Sequence, residues 1–170
     1  NADSVSSLEQ YFLDQLVISP HFAGIYVGKP NGDFFYVNRS EKKSPAGFRT
    51  KIINHKDGIR KTRLIWRDKD LKMIAAEFDP ADSYDPRVRP WFKKALAQKK
   101  IVWTDPYIFF TSQKLGITIA GPSYDKSGNL KGIVGVDIEI DELSTFISSL
   151  KIGQNGQAFM INNNSEVVSF

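Results

Sequence analysis

Residues 24–37 read Gly24-Ile25-Tyr26-Val27-Gly28-Lys29-Pro30-Asn31-Gly32-Asp33-Phe34-Phe35-Tyr36-Val37. Two β-branched and aromatic runs flank Pro30-Asn31-Gly32-Asp33, where proline presets one backbone angle and the Asn-Gly pair tolerates the left-handed geometry of a tight reversal. This is the strongest hairpin signal in the chain. It predicts a strand at Gly24 to Val27 answered by a strand at Phe34 to Val37.

Upstream, Val5, Leu8, Tyr11-Phe12 and Leu16 recur at three- and four-residue spacing, which predicts an amphipathic N-terminal helix capped by Asp3 or Ser4 and ended by Pro20. Downstream, Lys56-Asp57-Gly58 predicts a second, more polar hairpin between Arg49 to Asn54 and Ile59 to Trp66. The stretch from Phe78 to Pro90 is rich in proline and charge and reads as a shaped loop. Pro90 suits the first turn of a helix running to about Gln98. Three strand candidates follow, Trp103 to Phe110, Leu115 to Ser123 and Leu130 to Ile138, joined by short turns that make antiparallel neighbours. Asp141 then caps a closing helix to about Leu150. The order describes an α+β, PAS-like module with a central antiparallel sheet of about five strands. Ala158 to Ile161, a polar turn and Glu166 to Phe170 repeat the pattern of the first hairpin, as the start of a second module. The expected organisation is an N-terminal helix at 1–22, a first module at 23–150 and the beginning of a second at 151–170.

Composition narrows the function classes. In 170 residues, 41% are hydrophobic and 12% aromatic, enough for one ordinary core. The formal charge is +4, but the basic residues are dispersed along the chain, so a solvated surface is expected and nucleic acid is not a partner. Absence of cysteine removes disulfides, thiolate metal sites and cysteine nucleophiles. His21 and His55 lack carboxylates at ligand spacing, and Asp79, Asp82 and Asp85 lack the glycine and closing glutamate of a calcium loop, so no metal is expected. No cofactor motif is present, since the glycines at 121 and 132–135 do not open a helix after a strand. No apolar run reaches the roughly 18 residues of a spanning helix, and Asn1-Ala2 reads as the remnant of a tag on a trimmed fragment.

The chemistry concentrates in Tyr84-Asp85-Pro86-Arg87-Val88-Arg89-Pro90-Trp91-Phe92. A phenol, two guanidiniums and an indole at a loop entering a helix suit recognition of a carboxylate, because an arginine fork holds both oxygens and free N–H groups add donors. An equally good reading pairs Asp85 with Arg87 or Arg89 to pin the loop while Trp91 fills the core.

That segment, followed by Trp103-Thr104-Asp105-Pro106-Tyr107 and by Gly132-Ile133-Val134-Gly135-Val136-Asp137-Ile138, resembles the double Cache sensor domains of bacterial transmembrane receptors. The three motifs come in the family's order and span most of the chain. The resemblance implies a periplasmic or otherwise extracytoplasmic ligand-sensing domain of a chemoreceptor, histidine kinase or nucleotide cyclase. It also implies two PAS-like modules, a long N-terminal helix and a homodimer in the full receptor. Transmembrane helices would lie outside this fragment.

In amino-acid-binding members a tyrosine, an arginine five positions on, a tryptophan two further and an adjacent aromatic form the pocket. Tyr84, Arg89, Trp91 and Phe92 match that spacing. By resemblance, Arg89 and Trp91 hold a carboxylate, Tyr84 and Asp137 contact an amino group, and Tyr107 lines the pocket. The amino-acid binders also place an aspartate two residues after the tyrosine matched by Tyr107, whereas this pocket has Phe109. An amino acid or amine and a simple organic acid therefore both remain as ligand classes. The alternatives are a ligand-free module for protein interaction or dimerisation, and an enzyme, for which no serine with a histidine partner is found.

Overall fold

The 24–37 hairpin forms because its turn satisfies itself. Gly32 takes a positive φ of 92°, its N–H donates to the Lys29 carbonyl, and the Asn31 side chain accepts from the Asp33 N–H. The second hairpin turns through Asp57 and Gly58, both at positive φ, with Lys56 opposite Ile59. That is the two-residue reversal whose twist matches paired strands.

The computed structural model describes residues 6–40, 43, 45, 47–153, 156–162 and 164–169. Their elements run α1 (Ser7–Ile18), β1 (Gly24–Gly28), β2 (Phe34–Arg39), β3 (Phe48–Lys56), β4 (Ile59–Arg67) and β5 (Met73–Phe78). A single 3₁₀ turn (Pro86–Val88) leads into α2 (Pro90–Gln98), β6 (Val102–Trp103), β7 (Tyr107–Ile108), β8 (Leu115–Tyr124), β9 (Leu130–Glu139) and α3 (Ile140–Ser149). Last come β10 (Met160–Ile161) and β11 (Val167–Ser169).

The α+β class holds, but the sheet is larger than five strands. Its order is β5-β4-β3-β2-β1-β9-β8-β6, with β7 also on β8, nine strands among the described residues. The second hairpin and Met73–Phe78 extend the edge that the first hairpin leaves open. The expected strand from Trp103 to Phe110 is instead two short ones, β6 and β7. Pro106 between them has no N–H to give a ladder. β10 and β11 pair with each other as a separate two-stranded sheet.

Two helix starts differ from expectation. Ser6 caps α1, its hydroxyl accepting the Glu9 N–H at 3.1 Å, while Asp3 and Ser4 lie outside the described residues. Glu139 occupies the cap position of α3 without a side-chain capping bond, and Asp141 sits in the first turn, where its charge faces the positive helix end.

The helices cover opposite faces of the sheet. On one face Phe12, Leu13 and Leu16 of α1 pack on Ile25, Val37 and Phe48. Glu9 of the same helix is 4% exposed and is held by Thr50 Oγ1 at 2.6 Å and by Arg67, itself 3% exposed, at 3.2 Å. On the other face Trp91, Phe92 and Ala95 of α2 pack on Tyr26, Phe34, Ile53 and Ile133. Losing one partner of a buried ion pair leaves the other charge uncompensated. Glu9→Ala should therefore lower unfolding stability by about 3–5 kcal/mol in denaturant titrations. The pair replacement Glu9→Leu with Arg67→Met should lose much less.

Candidate ligand-binding cleft

Register aims the polar groups of the cleft. Asp137 on β9 lies opposite Gly24 of β1 and opposite Thr118 of β8, so Tyr26, two residues along β1, projects to the same face. Tyr36 stands opposite Tyr26 on β2. Glycines make the room: a Cβ at Gly135 would run into the Tyr26 ring, and one at Gly116 into the Phe109 ring.

Six of the seven residues singled out from sequence, Tyr84, Arg89, Trp91, Tyr107, Phe109 and Asp137, line one cavity between this sheet face and α2. Phe92 is not in its wall. It is buried on α2 with its ring 5.4 Å from that of Trp91, facing Gly28 of β1. Tyr26, Phe34, Tyr36, Phe110 and Thr111 complete the lining and were not singled out. Counting alternate positions on the first hairpin marks Tyr26, Phe34 and Tyr36 as sharing a face. Nothing in the sequence says that this face is the cleft.

The loop-pinning reading of residues 84–92 describes part of what is found. Asp85 forms an ion pair with Arg87 at 2.7 Å and also accepts the Arg87 N–H, which shapes the turn into α2. Trp91 is 1% exposed and lies 4.6 Å from the Tyr26 ring. Arg89, in contrast, has no acidic partner among the described residues. It donates to the Ile108 carbonyl at 3.1 Å and stands over the Tyr107 and Phe110 rings at 5.6 and 5.9 Å. The other aspartates of the loop serve its shape. Asp79 accepts the Ala81 N–H, and Asp82 binds Lys51 and Arg60 beneath the Tyr84 ring. Burial opposes ionisation of Asp82, but its hydrogen bonds to Lys51 and Arg60 outweigh that and hold its carboxyl below the usual range.

Across the cavity from this loop, Oδ1 of Asp137 accepts hydrogen bonds from the hydroxyls of Tyr26 and Thr118, each at 2.6 Å. Tyr107 reaches Thr118 at 2.7 Å. Oδ2 takes no hydrogen bond among the described residues. Burial pushes the Asp137 carboxyl up to about 7, against the two hydroxyls and the Arg89 charge, which pull it down. Burial and the Asp137 charge likewise raise Tyr26, which stays a donor. The cavity thus has a guanidinium on one wall and, on another, a carboxyl poised to ionise when a cation arrives. Its volume is about 20 Å³, of the order one ordered water needs. No group of three or more metal-ligating side chains occurs among the described residues.

The sheet carries α2 and this cleft on one face and α1 on the other, and the family follows from comparison. Residues 35–145 match the model of the first PDC sensor domain of methyl-accepting chemotaxis protein-like receptors. The chain belongs to that family of sensor domains. The chemotaxis protein McpA of Pseudomonas putida is 40% identical over 157 residues, covering 92% of this chain and 18% of that receptor. Adenylate cyclase 1 of Rhizobium meliloti is 29% identical over 153 residues, covering 84% and 23%. The chain therefore spans less than a quarter of the length of these curated relatives. Among solved structures, the ligand-binding domain of Campylobacter jejuni chemoreceptor Tlp3 in complex with L-valine shares the fold at a TM-score of 0.60 with 18% identity. The alignment covers 96% of this chain and 50% of that one. The domain of the Pseudomonas aeruginosa amino acid chemoreceptor PctB in complex with L-arginine gives 0.58 with 21% identity, covering 96% and 53%.

The raised Asp137 carboxyl has a stability consequence with a fixed sign. Between the ordinary carboxylate range and about pH 7 the folded chain holds a proton that the unfolded chain has lost, so this group's contribution falls as pH rises and levels off above 7. Asp137→Asn keeps an acceptor for both hydroxyls and cannot ionise. Its stability relative to wild type should rise by about 1 kcal/mol per pH unit from pH 5 to 7 and then stay level, measured by denaturant unfolding across pH.

Proposed function

We propose that this chain is the extracytoplasmic, membrane-distal sensor module of a bacterial transmembrane receptor and that its cleft binds a small carboxylate-bearing metabolite, an amino acid or an organic acid. The observation that carries the reading is Arg89, a cation without an acidic partner among the described residues, set in the same cavity as the poised Asp137. Arg89 and Trp91 take the carboxylate, Tyr107 and Tyr84 line its path, and Asp137 receives an ammonium when the ligand has one. A zwitterion needs two such poles within one poorly solvated cleft.

A metabolite is larger than the space between these side chains, so entry lifts the turn at 109–114 that carries Phe109, Phe110 and Thr111. Closure over the ligand biases two arrangements of the module, within the limit of the ligand's differential affinity for them. The bias leaves through α1 and α3. The exposed side of α1, with Leu8, Tyr11, Val17 and Ile18, suits packing against a twin in a receptor homodimer. The hairpin of β10 and β11 begins the membrane-proximal module. No helix among the described residues is long and apolar enough to cross a membrane; in this reading other parts of the receptor supply the spanning segments.

Thermal-shift screening against amino acids, amines and organic acids tests the reading. A true ligand at 100 times its Kd should stabilise the chain by roughly 2.7 kcal/mol. Arg89→Ala should abolish that shift without unfolding the protein, and unchanged affinity would refute the assignment. Asp137→Asn should cripple binding of an ammonium-bearing ligand and spare a simple dicarboxylate. Silence across the library favours a module that only touches another protein.

A further inference from the structure

A second cavity, of about 510 Å³, adjoins the cleft, and Tyr36, Phe109 and Thr111 line both. Phe109 is the partition. It is held over Gly116, whose missing Cβ leaves its ring a seat. Behind it, in the floor of the second cavity, lies Arg49 of β3.

Arg49 is unusual for a buried cation. It is 8% exposed, and among the described residues it forms no ion pair and its side chain makes one hydrogen bond, from Nε to Asn38 Oδ1 at 3.2 Å. Its Nη2 is buried with no hydrogen-bond partner among the described residues. An orphaned charged donor of this kind is costly to keep in a folded chain unless something visits it. Its neighbour two residues along the same strand face, Lys51, is paired with Asp82, which shows how this sheet neutralises a buried cation when no visitor is needed. The carboxylates lining the second cavity are engaged elsewhere, Glu139 with Lys114 at 2.6 Å and Glu142 beside His21 at 4.0 Å. Of the groups lining the joined space, Arg89, Arg49 and Arg39 have no acidic partner among the described residues, Arg39 being taken up by the main-chain carbonyls of Leu16, Ser19 and Phe22, and Asp137 is the carboxyl that no cation pairs. That balance fits a guest with more negative than positive charge.

We propose that Arg49 is a second recognition group of the ligand site, exposed when Phe109 swings aside, and that the ligand carries two acidic groups. One carboxylate sits at Arg89 and the other, at the far end of a short carbon chain, at Arg49. Small dicarboxylates and acidic amino acids have this form. The inference rests on the carboxylate-binding reading of the cleft and narrows it. Phe109 then becomes the movable wall between the two anion positions.

Calorimetric titration with isosteric pairs, succinate against succinamate and L-glutamate against L-glutamine, tests it. In wild type the diacid of at least one pair should bind ten-fold or more tightly than its amide. Arg49→Gln should erase that preference while leaving the amide's affinity within about two-fold, and Arg49→Lys, which keeps the charge, should retain part of it. Preference for the amides in wild type, or a diacid preference that survives Arg49→Gln, would overturn the proposal. If an amino acid or monocarboxylate binds through Arg89 and neither diacid binds better than its amide, only the role of Arg49 fails. If no carboxylate binds, or binding ignores Arg89→Ala, the reading of the whole cleft fails with it.

Discussion

Tyr26 and Asp137 lie 111 positions apart in the chain, and the antiparallel pairing of β1 with β9 brings them within one hydrogen bond. Everything else depends on that pairing. The strands β1 to β5 form one meander and β6 to β9 another, and the β1–β9 ladder is the seam that makes a single sheet of them. It also places α1, which precedes β1, and α3, which follows β9, at the same end of adjacent strands. Such a contact closes a long loop and is entropically expensive to form. Its reward is a row of main-chain bonds and the buried packing on both faces.

The same seam creates the chemistry. A carboxyl carried into an apolar interior resists ionising, and two hydroxyls from neighbouring strands only partly relieve it. The result is a group near its titration midpoint at neutral pH, responsive to whatever charge enters beside it. Arg89 arrives from the opposite side on the turn into α2, where Asp85 has already taken Arg87 and left Arg89 to a backbone carbonyl and two aromatic rings. Division of labour between the two arginines is settled by local turn geometry. Asp85 caps the 3₁₀ turn, and a capping carboxylate reaches the residue two positions on.

Local features were legible in the sequence to the degree that local physics decides them. Asn31-Gly32 and Asp57-Gly58 declared both hairpins, and Pro90 declared the start of α2. The size of the sheet was not legible, because whether Met73–Phe78 adds an edge strand depends on β4 being there to receive it. Nor was the break at Asp105-Pro106, where the apolar run 107–110 looks continuous with Val102-Trp103 until the proline is given its place in the ladder. In the cleft, the residues from 84–92, Tyr107, Phe109 and Asp137 came from ordered motifs. Tyr26, Tyr36, Thr118 and Arg49 are common strand residues whose partners lie on other strands, and only the register reveals them. Phe92 shows the converse. Its spacing matches a pocket position, yet packing beside Trp91 on α2 turns it toward Gly28.

Successive residues of a strand point to opposite sides, and on β3 this alternation sets Arg49 against Thr50. Arg49 lies under the second cavity, and Thr50 holds Glu9 of α1 together with Arg67. The wall dividing the second cavity from α1 is therefore a single peptide thick at this point. A tilt of β3 about its own axis would swing the two side chains in opposite directions like the arms of a rocker, linking the two faces of the sheet without a relay of intervening contacts.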